Sequence, residues 1–187
     1  MPPKLGFALT GSFCTLRPAL SAMETLARDW EITPLLSETV QSTDTRFGPA
    51  AFWREEAARL CGRTPMLTIP DAEPIGPKGL FDLLLICPCT GNTLSKLARG
   101  ITDGCVTMAV KSHRRRGGTV LVALSTNDAL SGSAPALGTL LDRKGFFFVP
   151  LYQDDPANKP NSLKYREDAL IPALGAALAG RQLPLFA

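Results

Sequence analysis

The sequence of 187 residues has a single histidine, His113, and its five cysteines (Cys14, Cys61, Cys87, Cys89 and Cys105) form no C-x-x-C pair. A zinc centre draws on several Cys and His ligands at close spacing, so no metal site is expected. An odd set of scattered cysteines does not read as a disulfide framework, and these read as reduced thiols of a cytoplasmic protein. The opening MPPKLGFALTG carries one lysine and a six-residue apolar run, which is no secretory leader. No apolar run approaches the roughly 18 residues of a membrane span. Charge of one sign is also scarce: a net charge of +3 is too small a bias to argue for nucleic acid.

Two nucleotide signatures are missing as well. No G-x-G-x-x-G follows the first apolar run. Gly6 and Gly11 have the spacing of a P-loop pair, but Ser12-Phe13 stand where Lys-Ser/Thr belongs, and Gly6 falls inside the run. ATP and an autonomous NAD site are disfavoured, and a mononucleotide phosphate remains open.

What is present is an alternation of apolar runs with helical stripes. Hydrophobic residues make up 45% and charged residues 20%, which suits one globular domain over residues 1–187. Residues 4–10 read as a strand, and Leu16, Leu20, Met23, Leu26 and Trp30 then recur at helical steps. Thr15 is placed to cap that helix, with Pro18 tolerated in its first turn. Residues 31–36 read as a second strand, residues 37–48 as a polar loop and residues 50–60 as a helix closed near Gly62. A brief strand is expected at 65–69, and three prolines and a glycine forbid regular structure over 70–77. The aliphatic run at 83–87 reads as a central parallel strand covered on both faces. Helices over 92–99 and 105–116, a strand at 119–124, a helix at 134–143, a last strand at 146–150 and an Ala-rich helix at 169–179 complete the pattern. Strand alternating with helix predicts an α/β fold, a three-layer doubly wound parallel sheet, Rossmann-like in outline. Residues 152–163 (YQDDPANKPNSL) form a long irregular stretch that suits a lid or binding loop.

In such folds ligands sit at the carboxyl ends of the strands, where helix N-termini present free N–H groups. Four strand ends are alike in their small polar residues, namely Thr10-Gly11-Ser12, Ser37, Cys89-Thr90-Gly91-Asn92-Thr93 and Ser125-Thr126-Asn127. Each is also an ordinary helix cap. Four of them converging on one sheet edge suit a phosphate joined to a planar polar ring.

The segment ICPCTGNTLSKLARGITD resembles the motif A-P-A-S/T-A-N-T-x-A-K-x-A-x-G-I-A-D of the homo-oligomeric flavin-containing cysteine decarboxylase superfamily. The blocks GFALTGSFCT, STDTRFG, AEPIGPKGLFDLLLICPCTGNTLSKLARGITD, STNDALSG and QDDPANKPNSL together resemble the family of dipicolinate synthase B subunits. This resemblance covers residues 5–163. It implies a flavoprotein that binds FMN at the strand ends already named. Thr10, Gly11, Ser12 and Ser37 would lie near the phosphate. Thr90, Gly91, Asn92 and Thr93 would meet the phosphate, ribityl chain and flavin edge, with Ser125, Thr126 and Asn127 on the ring side. Two departures stand against decarboxylation. Pro74 occupies the position of the superfamily's histidine, and the P-x-M-N-x-x-M-W clamp reads LSTNDALS, keeping only Asn127.

The resemblance further implies an oxidoreductase subunit of a sporulating bacterium, working in the mother-cell cytoplasm. It would act with an A subunit that carries the NAD(P) site, oxidising a dihydro- or hydroxytetrahydro-dipicolinate to pyridine-2,6-dicarboxylate. Hydride removal from a ring is natural flavin chemistry. A homo-oligomer, a trimer or a multiple of one, is expected. Two substrate carboxylates call for cations, and Arg46, Lys78 and Lys159 are the candidates, each also readable as a solvated charge. Asp154-Asp155 reads first as a solvated loop or cap, Cys89 as a small buried thiol and Arg114-Arg115-Arg116 as a solvated helix end. Nothing in the sequence activates His113, and no residue is assigned to proton transfer.

Overall fold

The first apolar run is strand β1 (Lys4–Leu9), followed by a 3-10 turn at Phe13–Thr15 and helix α1 (Leu16–Leu26) in the computed structural model, which describes residues 1–186. Strand β2 (Glu31–Leu36) follows, then α2 (Glu38–Ser42), α3 (Ala50–Cys61), α4 (Ile69–Ala72) and α5 (Ile75–Lys78). Next come β3 (Leu83–Cys89), α6 (Gly91–Arg99), α7 (Cys105–Arg114), β4 (Thr119–Thr126) and α8 (Ala134–Asp142). The chain closes with β5 (Phe146–Phe148), β6 (Leu151–Tyr152), β7 (Leu163–Tyr165) and α9 (Leu170–Leu178).

The sheet order is β2-β1-β3-β4-β7-β6, with β5 also paired to β4. Pairings β1–β2, β1–β3, β3–β4 and β4–β5 are parallel. All seven side chains of β3 are buried, as its unbroken aliphatic run requires of a strand covered on both faces. Each fully buried leucine or valine of this layer contributes about 1.5–3 kcal/mol. The buried side chains form one cluster that runs from Leu5 to Ala177.

The doubly wound α/β expectation holds, with one amendment: the sheet is mixed. Residues 152–163 are not a plain connection but the tip of a hairpin, whose strands β6 and β7 pair antiparallel. Strand β7 then lies antiparallel against the carboxyl end of β4 through Ser125↔Lys164 and Thr126↔Leu163. Strand β5 uses the amino half of the same edge, through Val120, Leu121 and Val122. The strand predicted over 146–150 is therefore shorter and is not the last.

Other differences have local causes. Residues 65–69 make only a single bridge, Leu35↔Met66, and no strand. The proline-rich stretch does hold regular structure, because Pro70 falls in the first turn of α4, where the missing N–H has no intrahelical partner. Thr68 caps α4 reciprocally with Asp71. Thr15 does not cap α1 with its side chain, and α1 stops before Trp30. Arg114 and Arg116 are not simply solvated: they donate to the Gly118 and Lys144 carbonyls and to the Gly76 carbonyl respectively, stapling loops at the amino edge of the sheet. Arg115 is exposed as expected.

Candidate functional site

The strand ends named from the sequence meet at one edge of the sheet. The Thr10 hydroxyl donates to the Pro88 carbonyl (2.8 Å) and accepts the Thr90 N–H (3.0 Å), so the ends of β1 and β3 are tied together. The Ser12 hydroxyl donates to the Ser125 hydroxyl (3.1 Å), bridging β1 to β4. The Ser37 N–H donates to the Leu9 carbonyl (3.0 Å), which brings in the end of β2.

Two adjoining cavities open on this edge and share Gly11 and Thr90. The smaller, about 230 Å³, lies between the starts of α2, α6 and α7, with Ser37, Thr39, Asn92, Thr93 and Lys96 on its wall. The Thr90 hydroxyl caps α6 by accepting the Thr93 N–H (3.1 Å). Glu38 accepts the Cys105 N–H at the head of α7 (3.0 Å), and Lys96 pairs with Asp103 (2.8 Å). The Ser37 hydroxyl oxygen is buried without a hydrogen-bond partner. A buried hydroxyl left unpaired is unfavourable, so its position asks for an outside partner.

The larger cavity, about 600 Å³, has Ser12, Ser125, Thr126 and Asn127 along the strand ends. Phe13 and Cys14 come from the 3-10 turn, and Arg46 with Phe47 from the loop between α2 and α3. Asp154, Lys159, Ser162 and Lys164 come from the hairpin.

Most of the residues named from sequence therefore lie on one wall or the other. Thr10 and Gly91 do not, and their roles are structural. Thr10 is 1% exposed and its hydroxyl is spent on β3. A Cβ on Gly91 would sit 2.5 Å from the Ser133 hydroxyl and 2.7 Å from that of Thr126, so only glycine lets α6 approach the turn after β4. Lys78 lines neither cavity; it ends α5, ahead of β3, at the amino edge of the sheet. Sequence reading missed Phe13, Cys14, Phe47, Thr39, Lys96 and Lys164. Phe13, Cys14, Phe47 and Lys96 lie within blocks already quoted and Thr39 follows Ser37 closely, while Lys164, just past the last block, belongs to a strand of three residues that carries no visible period.

Charge in the larger cavity is unevenly compensated. Lys159 pairs with Asp154 (3.1 Å), which also accepts from the Ser162 hydroxyl (3.0 Å). Burial pulls the Asp154 carboxyl up, but the Lys159 and Ser162 hydrogen bonds outweigh it and hold it below the usual range. Asp155 caps the loop by accepting the Asn158 N–H (3.2 Å), so this acidic pair has the loop and capping role read for it. Lys164 pairs with Glu167 (3.0 Å). Arg46 lies over the Phe47 ring at 4.9 Å and makes no ion pair among the described residues. Cys89 is fully buried, and burial pushes its thiol far up, as a space-filling role requires.

A polar cavity at helix heads beside a wider cavity with aromatic and amide walls, at the carboxyl edge of parallel strands, is the arrangement in which α/β proteins of the mononucleotide-binding class take their ligands. The chain belongs to the flavoprotein family, whose model, described as Flavoprotein, matches residues 2–133. It is 41% identical to the B subunit of dipicolinate synthase of Bacillus subtilis (strain 168) over 181 residues, covering 96% of this chain and 90% of that protein. The crystal structure of the dipicolinate synthase B subunit from Bacillus halodurans C superposes with a TM-score of 0.90 at 39% identity, covering 100% of this chain and 98% of that one. A dodecameric FMN-dependent Ubix-like decarboxylase from Escherichia coli O157:H7 shares the fold at a TM-score of 0.64 and 20% identity, over 79% of each chain. The resemblance read from the sequence blocks is borne out.

The residues present fit FMN. The unpartnered Ser37 hydroxyl, the Asn92 side chain and the head of the nine-residue helix α6 offer donors for a phosphate, on a wall that also holds Glu38 and the Lys96–Asp103 pair. The larger cavity offers Phe13 and Phe47 with Ser125, Thr126 and Asn127, an apolar and hydrogen-bonding surround of the kind a flavin ring takes.

Proposed function

We propose that this chain is the FMN-binding B subunit of a dipicolinate synthase. It supports the oxidation of a dihydro- or hydroxytetrahydro-dipicolinate to dipicolinate together with an A subunit that carries the NAD(P) site. The observation that carries the reading is the unpartnered Ser37 hydroxyl on a polar cavity that shares Gly11 and Thr90 with the wider, cation-lined one. Bound there, FMN would supply a two-electron acceptor beside the substrate ring. Ser37, Asn92 and Thr93 would hold the phosphate and ribityl chain, with Gly11 and Thr90 on the walls of both cavities. Ser125, Thr126 and Asn127 orient the ring, and the cationic side chains neutralise the substrate carboxylates. Asp154, Lys159 and Ser162 of the hairpin tip line the cavity on the β4 side. Assembly into a homo-oligomer, a trimer or a multiple of one, belongs to the same reading, as does action in the mother-cell cytoplasm of a sporulating bacterium.

A second reading, an assembly subunit with a vestigial flavin pocket, differs in one observable. Purified chain mixed with FMN and passed through gel filtration retains close to one flavin per chain if the proposal holds. A colourless protein, alone and with its A subunit, supports the second reading. Decarboxylation of a cysteine substrate is disfavoured by Pro74, which stands where the superfamily has a histidine.

A further inference from the structure

We propose that Lys164 and Arg46 are the two cations that grip the carboxylates of a planar dicarboxylate in the larger cavity, and that Lys159, on the same wall, does not. The inference rests on the reading of this cavity as the site of a pyridine- or dihydropyridine-dicarboxylate.

Four ionic side chains line the cavity: Arg46, Asp154, Lys159 and Lys164. Asp154 and Lys159 compensate each other inside it, at 3.1 Å. The counter-ion of Lys164 is Glu167, whose side chain is 51% exposed and which is not on the cavity wall. Arg46 has no counter-ion among the described residues. Arg46 thus has no acidic partner among the described residues, and the partner of Lys164 lies off the cavity wall, so both cations are placed to turn to a dianion within it.

The two cations reach the cavity from different elements. Arg46 comes from the loop that follows α2, on the β2 flank of the sheet. Lys164 comes from β7 on the opposite flank, in register with Ser125. Lys164 is also the better-fixed lysine. Its backbone pairs with strands on both sides, and its side chain is 23% exposed against 48% for Lys159, which sits in the hairpin tip. Less conformational entropy is lost when such a side chain is engaged. An ammonium has three donors, so Lys164 can keep Glu167 and still donate to a ligand oxygen. The Arg46 guanidinium supplies the planar fork that fits a carboxylate at two points.

The test is calorimetric titration with dipicolinate and with pyridine-2-carboxylate, a monocarboxylate, on the full chain with its FMN content recorded, alone and with the A subunit. Lys164→Gln and Arg46→Gln should each weaken dipicolinate binding by roughly 10- to 100-fold, the worth of one charge-assisted hydrogen bond. Both should erase most of the preference for the dicarboxylate. Lys159→Gln should change affinity by less than about threefold, and Lys164→Arg should restore most of what Lys164→Gln loses. FMN content should be the same in all variants. The proposal is overturned if Lys164→Gln binds dipicolinate as the parent does, or if Lys159→Gln loses as much. A parent chain that carries FMN yet binds no dipicolinate, with or without the A subunit, overturns it while leaving the flavin reading intact. Lys164-dependent dipicolinate binding by a chain that never retains FMN would sustain it and sink the flavin reading.

Discussion

The Thr10 side chain joins two strand ends nearly eighty residues apart: its hydroxyl donates to the Pro88 carbonyl at 2.8 Å and accepts the Thr90 N–H at 3.0 Å. Thr90 in turn caps α6, so the placement of one helix head depends on one buried hydroxyl. Thr10→Val keeps the shape and leaves both backbone groups unpaired. It should lower stability by about 1–3 kcal/mol, read as a shift of the urea midpoint at constant m-value. Thr10→Ser keeps the hydroxyl and should lose about 1 kcal/mol or less.

Two glycines predict opposite outcomes. Gly91→Ala forces a Cβ against Ser133, Thr126 and the Asp128 carboxylate, all within 2.8 Å. Destabilisation of about 1–3 kcal/mol is expected, with loss of flavin retention as the turn after β4 is displaced. Gly138 in α8 has open space where a Cβ would go. Gly138→Ala should stabilise the fold by about 0.5–1 kcal/mol through helix propensity, read in the same urea experiment.

Thiol reactivity separates one cysteine from the other four. Cys14 is exposed and lines the larger cavity. Burial pushes the Cys87, Cys105 and half-buried Cys61 thiols up to about 12, and Cys89 further. A chromogenic disulfide reagent at mildly alkaline pH should therefore titrate one fast thiol in the native protein and all five after denaturation. Cys14→Ser should remove the fast phase, and dipicolinate should slow it in the parent chain.

His113 gives stability a pH dependence of known sign. The residue is 4% exposed, and its Nε2–H donates to the Thr119 carbonyl at 3.0 Å. Burial lowers its pKa below the ordinary value and prevails over the opposing pull of that hydrogen bond. The unfolded chain then takes up the proton more readily than the fold. The stability linked to the neutral ring is fully present above about pH 6.5 and is lost as pH falls through the lower, folded-state value. Urea midpoints measured below that pH should fall for the parent chain and fall less steeply for His113→Gln, compared against each protein's own value at neutral pH.

The sheet's central strands and the polar strand ends at its carboxyl edge could be read from the chain alone. Long aliphatic runs such as that of β3 have one comfortable home, a strand covered on both faces, and the polar residues that end them mark the sheet's carboxyl edge. Gly62 and the Thr90 cap were legible because a turn or a helix start is written in three or four adjacent residues. Only the tertiary structure decided the hairpin, since strands of two and three residues are too short to show a period and form only because β4 offers a free edge. It also separated Thr10 and Gly91, which hold the site together, from Ser37 and Asn92, which face it. It placed Lys164 and not Lys78 on the cavity wall, because which cations line a cavity, and where their acidic partners lie, depends on packing, and no local pattern encodes that.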